Sequence, residues 1–595
     1  MSDTIRRRRD GKILVVFEST SGFPALRMAQ EKLGAERIRH APAEMLDKEI
    51  VDGDAIFAFR QGSAAAKSAE TALDIRFPKL PPNGYHIECV QHRGGRALVV
   101  IGGDLFGMLA GLADALLWGE PGRGGFVYRG GTKTEKPALA LRYYWTWDHS
   151  TNWVLDDAGN QFSGCFNQYT KRPETYIEDY RRLVDHCVEM RFNGIVIWGF
   201  LRDTHGAERF SYEVAKYAAD RGVAIMPGVG TTSYGGVYYQ GDHPYNLETY
   251  LRKHPERAMI NKDGVAHGHE LSPYPPENLK FIQQSLEWLY RSFPLGGANL
   301  ENGDLLVDYS AAGKRGRARI KSREADFFKD QFFAYKSALD VAHRLAPNAW
   351  NTYATYSGFG QGRDVTNAGA DMGAAPYFAK RMPPSAIAQW TITGMVRTEP
   401  VKLAAWMDDP RPKALYDNPR WPKGLRPPTP RSCGFLHQAS QWSWTLTRSD
   451  VAISTFAEGC LRSVESGLEG ISTHGEVSSR TLTWLLNYLT TRHWSYHPVS
   501  TIEEFALAEL APRLGGQREA RVFTKALLLL EDLKQDEANK LIVKEHGPTY
   551  PYNKPDPWEI DTRKFRACMM WEQMLRWCAV LNRPNRWSTG FNDIL

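Results

Sequence analysis

"PENLKFIQQSLEWLYRSFPLGGANLENGD", residues 276–304, joins a helix to a short strand that ends on a carboxylate. Leu279, Ile282, Leu286 and Leu289 recur at helical spacing, so the first part predicts an amphipathic helix. Two glycines then release the chain into "GANLENGD" (297–304), which predicts a strand ending at Glu301 in a turn of Asn, Gly and Asp. Outward from this unit, strand-like runs alternate with helical ones: "LRYYWTWDH" (141–149), "GIVIWGF" (194–200) and "VAIMPGVG" (223–230) before it. "AWNTYATYS" (349–357), "AIAQWTITG" (386–394), "GFLHQASQWSW" (434–444) and "GLEGISTHGE" (467–476) follow. Eight such strands over about 360 residues predict an α/β fold, a (β/α)8 TIM barrel with long insertions, against an open doubly wound sheet as the competing layout.

The chain has 595 residues, 42% hydrophobic and 24% charged, which suggests two or three folded domains and no extended disorder. Residues 1–137 read as an α/β accessory domain, in which the strands "YHIECV" (85–90) and "RALVVIGG" (96–103) form a hairpin that feeds the helical "DLFGMLAGLADALL" (104–117). Residues 138–500 are expected to form the (β/α)8 catalytic barrel. Residues 501–595 carry helical periodicity in "TIEEFALAELAPRLGG", "EARVFTKALLLLEDLKQ" and "RKFRACMMWEQMLRWCAVLN", a region suited to packing on the barrel or to a homo-oligomer contact.

The net charge of +6 is small for this length and the basic clusters are separate, so nucleic acid is not an expected partner. No apolar run approaches the roughly 20 residues that cross a bilayer, so no membrane partner is expected either. As written, the chain is expected in the cytoplasm, and a start processed from a signal peptide would place it in the periplasm or outside. The 7 cysteines lack CxxC spacing, and "HGHE" (267–270) lacks a third ligand, so neither a metal nor another cofactor is expected.

In a barrel of this kind the carboxyl ends of the strands build the site. Glu301 sits at such an end and is the candidate general acid, with capping of the next loop or pairing with an arginine of "KRGRAR" as its structural alternative. Burial among apolar walls would hold its proton near neutrality. Glu476, in the Gly turn after the eighth strand, is the candidate second catalytic group, and it would equally serve as a charge at a helix N-terminus. The other strand ends offer Trp147, Asp148, Trp198, Arg202, Tyr234, Asp304, Tyr353, Trp390, His437, Gln441, Trp442 and His474 as candidate substrate-binding residues. Aromatic faces suit the C–H faces of sugars while amides, imidazoles and carboxylates suit their hydroxyls, so the expected partner is a carbohydrate substrate.

Three stretches carry a family resemblance. Tyr85, Ile87, Ile101, Gly103, Gly107 and Gly111 stand as in the accessory domain of glycoside hydrolase families 20 and 67, the β-hexosaminidases and α-glucuronidases. "ELSPYPPENLKFIQQSLEWLYRSFPLGGANLENGD" (270–304) resembles uncharacterised bacterial relatives of the same barrels, in which a glutamate ending the fourth strand is the general acid; Glu301 holds that position. "LRYYWTWDHSTNW" (141–153) resembles the opening of the α-glucuronidase barrel more loosely. The resemblance implies a glycosidase acting in carbohydrate metabolism or polysaccharide degradation, on an oligo- or polysaccharide in which uronic-acid or amino-sugar units are the expected candidates. Family 20 places an aspartate directly before the acid where this chain has Leu300, and family 67 draws its base from later strands that here carry no carboxylate. Acetamido-assisted chemistry and the inverting dyad are therefore not carried over. A sugar-binding barrel without catalysis and a uronate-eliminating lyase are the alternative functions.

Overall fold

The computed structural model describes residues 3–18, 22–46, 53–92, 94–148, 172–302, 307–321, 326–355, 378–391, 431–436, 453–474 and 482–528, with a few isolated positions besides. Among them, eight parallel strands close into a barrel in chain order. They are β1 (Leu141–Trp147), β2 (Gly194–Trp198), β3 (Ala224–Gly230), β4 (Gly297–Glu301), β5 (Trp350–Ala354), β6 (Ala386–Thr391), β7 (Ser432–Leu436) and β8 (Gly470–His474). Each lies within one of the eight runs expected from sequence or within two residues of it. Closure is made by β8, which returns to pair β1 from Leu141 opposite Gly470 to Trp145 opposite His474, so the open-sheet alternative is excluded.

Strand side chains alternate between two faces, and in a closed barrel those faces become two cores. Tyr144, Ile195, Leu300, Tyr353, Trp390 and Ile471 pack outward under the helices. Tyr143, Trp145, Val196, Trp198, Met226, Ile387, Cys433 and Phe435 fill the interior as a separate cluster. Room for the indoles comes from β3: a Cβ on Gly228 would lie 2.4 Å from the Trp198 ring, so only glycine admits that ring beside the strand. The outer layer includes α1 (Pro173–Met190), α2 (Ala207–Ala219), α3 (Pro276–Ser292), α4 (Asp326–Leu345), α5 (Ile453–Glu465) and α6 (Leu482–Trp494). Proline at the first turn starts α1 and α3, where a missing N–H costs no helical bond. The helix opening expected at 276 is met by α3, which buries Ile282, Leu286 and Leu289.

Ahead of the barrel lies a six-stranded sheet, in the order Ile38–Pro42, Ile13–Phe17, Ala55–Arg60, Gly95–Gly102, Tyr85–His92, Lys133–Glu135. Its Tyr85–His92 and Gly95–Gly102 strands form the antiparallel hairpin read from sequence, followed by the helix Leu105–Leu117, which Asp104 caps. No helix among the described residues is long and apolar enough to cross a membrane.

The sheet is fixed to the amino-terminal end of the barrel by buried charge. Asp114 accepts from Lys133 Nζ (2.7 Å), Arg191 Nη2 (3.2 Å), Arg492 Nη2 (2.9 Å) and the Tyr85 hydroxyl (2.7 Å). Glu135 meets Arg191 (3.6 Å), Lys133 (3.0 Å) and His497 (2.6 Å), and Glu509 pairs with Arg492 and Arg513. Arg191 and Arg492 bring the barrel's side of these pairs from the turn after α1 and from α6, whereas Asp114 and Glu135 come from the preceding sheet unit. Burial pushes the Asp114 carboxyl up, but Lys133, Arg191 and Arg492 outweigh it and hold it well below the usual carboxylate range.

Removing one member of such a set leaves buried charge without a partner, at a cost of about 3–5 kcal/mol. Asp114→Ala should therefore lower stability by about that amount, read from the denaturant midpoint. Because the native value lies below the unfolded one, the unfolded chain takes up the proton first. The contribution of Asp114 should thus be complete at neutral pH and decline as pH falls below about 4, and the stability difference between wild type and variant should shrink there.

Candidate active site at the barrel mouth

Leu300 packs into the helix-facing core, so Asn299 and Glu301, one step to either side, face the barrel axis. Glu301 is the last residue of β4 and pairs with Gly230, the last residue of β3. It is 8% exposed, a carboxylate almost enclosed at the end of the strand where barrel sites are built. The turn after it is held from two sides. The Asn302 N–H donates to the Tyr335 hydroxyl of α4 (3.1 Å), while Asn302 Oδ1 accepts from Thr231 Oγ1 (2.8 Å) and the Thr232 N–H (2.9 Å). Burial, with the Glu301 carboxylate adding to it, raises the Tyr335 phenol well above its ordinary value and keeps it neutral.

Further along, Asp308 accepts from Ser272 (2.6 Å), Ser310 (2.8 Å) and the Ile260 N–H (3.2 Å), tying the hairpin Ala258–Ile260/Ala266–Leu271 to the segment that follows the glutamate. Arg317, the buried arginine of "KRGRAR", pairs with Asp330 at 2.7 Å.

An aromatic wall covers the mouth over β1 to β3. The Trp147 ring lies 5.5 Å from Trp145, 5.5 Å from Trp198, 5.9 Å from Tyr239 and 6.3 Å from Tyr234, and Trp198 meets Tyr234 at 5.5 Å. Tyr234 has φ +49°, a left-handed conformation uncommon for a bulky residue, and Gly235 and Gly236 follow at +70° and +80°. That sharp turn brings Tyr234 and Tyr239 back over β3. Tyr239 and Asn302 were not singled out from sequence. The tyrosine run "VYYQGD" was the available signal for Tyr239, and only the folded loop places it against Trp147.

Asp148 and Arg202, both candidates for substrate contact, bind each other. Arg202 Nε donates to Asp148 Oδ2 (2.8 Å) and Nη2 to Oδ1 (3.1 Å), a bidentate fork, while Nη1 donates to the Gln240 side chain. The guanidinium also lies 4.6 Å over the Tyr239 ring. Gly199 makes room for this pair: its φ is +81° and a Cβ there would stand 2.3 Å from Asp148 Oδ1. His205 Nε2 donates to the Gly199 carbonyl (2.7 Å), and its ring stacks on Tyr176 at 3.8 Å. Burial lowers the His205 pKa despite the opposing pull of Asp148, so the ring stays neutral at pH 7.

The remaining candidates divide by position. Tyr353 and Trp390 do not reach the mouth, because alternation turns both outward. The Tyr353 ring packs 6.0 Å from Phe332 and 6.0 Å from Tyr335, and Trp390 Nε1 donates to Ser432 Oγ (3.0 Å) in the helix-facing layer. His474 is the last residue of β8, opposite Trp145 in the ladder. Glu476, Asp304, His437, Gln441 and Trp442 lie outside the described residues.

Neither a family model nor a curated protein sequence matches the chain. Solved structures do. A β-N-acetylhexosaminidase from Bacteroides fragilis NCTC 9343 is similar over 86% of this chain and 93% of its own, at 14% identity and a TM-score of 0.50. A GH20 exo β-N-acetylglucosaminidase from Vibrio harveyi matches over 88% and 75%, at 10% identity and a TM-score of 0.50. A family GH115 4-O-methyl-α-glucuronidase with specificity for decorated arabinogalactans matches over 99% and 71%, at 10% identity and a TM-score of 0.55. The chain shares the fold of these enzymes. At these identities it is the architecture that is shared, and the chemistry has to be argued from the mouth itself.

Asp148→Asn removes the charge that balances Arg202 and should cost about 3 kcal/mol of stability. Arg202→Lys should cost less, since it keeps the charge and loses the fork. Denaturant titration of the two variants beside wild type checks the order.

Proposed function

We propose that this protein is a glycoside hydrolase that cleaves a glycosidic bond in an oligo- or polysaccharide, with Glu301 as general acid. The observation that carries the proposal is the placement of Glu301: it faces the barrel axis at the carboxyl end of β4, nearly enclosed, with its following turn pinned by Asn302 and Tyr335. Glycosidic cleavage needs a proton delivered to the leaving oxygen and a second group that attacks or activates water at the oxocarbenium-like centre. A carboxyl at the end of a strand whose neighbours hold it on both sides can supply the first. The part-exposed rings of Trp147, Tyr234 and Tyr239, backed by the buried Trp198, supply a face on which a sugar can stack, so binding would place the scissile oxygen within reach of the acid.

Glu476 is the proposed second group. A separation of about 5 Å from Glu301 would give retention of configuration and one of about 6.5–9.5 Å inversion.

The similar solved enzymes act on N-acetylhexosaminides and a methylglucuronide, which suggests an amino-sugar or uronic-acid unit for this chain as well. Two features of the mouth weigh against both. Leu300, turned into the helix layer, stands where an acetamido-orienting aspartate would be, and the Arg202 nitrogens are engaged by Asp148 and Gln240. A neutral sugar unit is therefore the substrate proposed.

The test is a screen of 4-nitrophenyl glycosides and of oligosaccharides with product identification, repeated with Glu301→Gln. Hydrolysis that falls by about 10²–10⁴-fold in the variant, with binding of the sugar retained, is the expected result. Binding without turnover in the wild type would make the barrel a lectin-like module, and an unsaturated product absorbing in the ultraviolet would make it a lyase.

A further inference from the structure

One layer beneath Glu301, the barrel interior holds two amides that are only half satisfied. Asn299 shares the face of Glu301 and lies two residues earlier on β4, roughly 6–7 Å deeper. Its Nδ2 donates to Thr352 Oγ1 on β5 (2.8 Å) and to Gln389 Oε1 on β6 (3.0 Å). The reciprocal bond of an amide pair, Gln389 Nε2 to Asn299 Oδ1, is not made. Both of those atoms are buried and without a hydrogen-bond partner among the described residues, on side chains 0% and 2% exposed. Unmet polar atoms at this depth are costly, and native interiors rarely keep them without an occupant.

The chemistry of the occupant follows from what is missing. One unmet acceptor, Asn299 Oδ1, and one unmet donor, Gln389 Nε2, belong to two amides already joined at 3.0 Å. Exchanging oxygen and nitrogen on both amides leaves the count unchanged, because the Thr352 hydroxyl can reverse its role; one donor and one acceptor remain. A carboxylate would satisfy the donor and set its own lone pairs against the acceptor. An ammonium would do the reverse. A hydroxyl satisfies both at once, accepting from one amide and donating to the other.

We propose that Asn299 and Gln389 form the floor of the sugar subsite and bind a single hydroxyl group of the substrate. They thereby select a neutral, hydroxylated unit over a uronate and over a deoxy sugar. The position supports a substrate group because the amides stand on the same face of the same wall as the general acid, one step further from the opening. This inference rests on the saccharide-binding function proposed above. The same hydrogen-bonding pattern would also be satisfied by a buried water, and the experiment separates the two.

The full-length chain is assayed with the 4-nitrophenyl glycoside that the wild type hydrolyses best, with its four monodeoxy analogues and with the corresponding uronide. In parallel, binding of the matching methyl glycosides to Glu301→Gln is followed by tryptophan fluorescence. The expected result is that one deoxy position alone loses about tenfold or more in kcat/KM and in affinity. Gln389→Met and Asn299→Leu should erase that discrimination, with a larger loss on the parent than on the deoxy compound.

The deoxy series on the unmutated chain decides the matter even where neither variant folds. Equal losses across the series, or a uronide preferred to the neutral glycoside, would overturn the proposal. An ordered water between the two amides that persists in a sugar-bound crystal structure would do the same. Sugar binding with a flat deoxy series sinks this inference and leaves the hydrolase proposal standing, whereas absence of binding by any sugar sinks both.

Discussion

Everything at the mouth depends on the two-residue alternation of the strands. Closing eight strands into a cylinder converts that alternation into an inside and an outside, and each side must be filled on its own terms. The outside is conventional: aliphatic and aromatic residues such as Ile195, Leu300 and Ile471 under helices. The inside is not the stack of branched aliphatics common in such barrels. Tyr143, Trp145 and Trp198 occupy it with Asn299, Thr352, Gln389 and Cys433, so the axis is both aromatic and polar. A register slip of one residue in β4 would bury Leu300 on the axis and send Glu301 into the helices. Glu301 is therefore held in place by Leu300 as much as by the residues that touch its turn.

Strand positions were legible in the sequence because most runs are rich in β-branched and aromatic residues, and those without that signal, such as "GANLENGD", are marked by the glycines around them. The helix before β4 was legible for the same local reasons, through proline at its start and apolar residues at helical spacing. What a single strand does not reveal is which of its faces turns inward. Tyr353 and Trp390 sit close to strand ends exactly as Trp147 and Trp198 do, and only the assembled sheet separates them. Tyr239 escaped notice for a different reason: it lies in an insertion whose path is set by Tyr234, Gly235 and Gly236, and a positive φ at tyrosine cannot be inferred from composition.

The charged groups near the mouth mostly serve one another. Arg202 forks onto Asp148, Arg317 Nη1 donates to both carboxylate oxygens of Asp330, and Asp308 gathers the hydroxyls of Ser272 and Ser310. Arg202–Asp148 joins the loops after β1 and β2, Ser272–Asp308 joins the segment before α3 to the one after β4, and Arg317–Asp330 braces the connection from β4 to β5, so the loops around Glu301 form one braced frame. The aromatic wall stands on that frame through Tyr239, which carries the Arg202 guanidinium on its face.

The cluster around Asp114 has an implication for how the chain is made. Its carboxylate emerges from the ribosome long before Arg492, which follows 378 residues later. At typical rates of about 5–20 residues per second, Asp114 waits roughly 20–75 s for that partner. During that interval the leading sheet can assemble, with Lys133 and then Arg191 emerging to meet Asp114, but the charge cluster is complete only when α6 arrives.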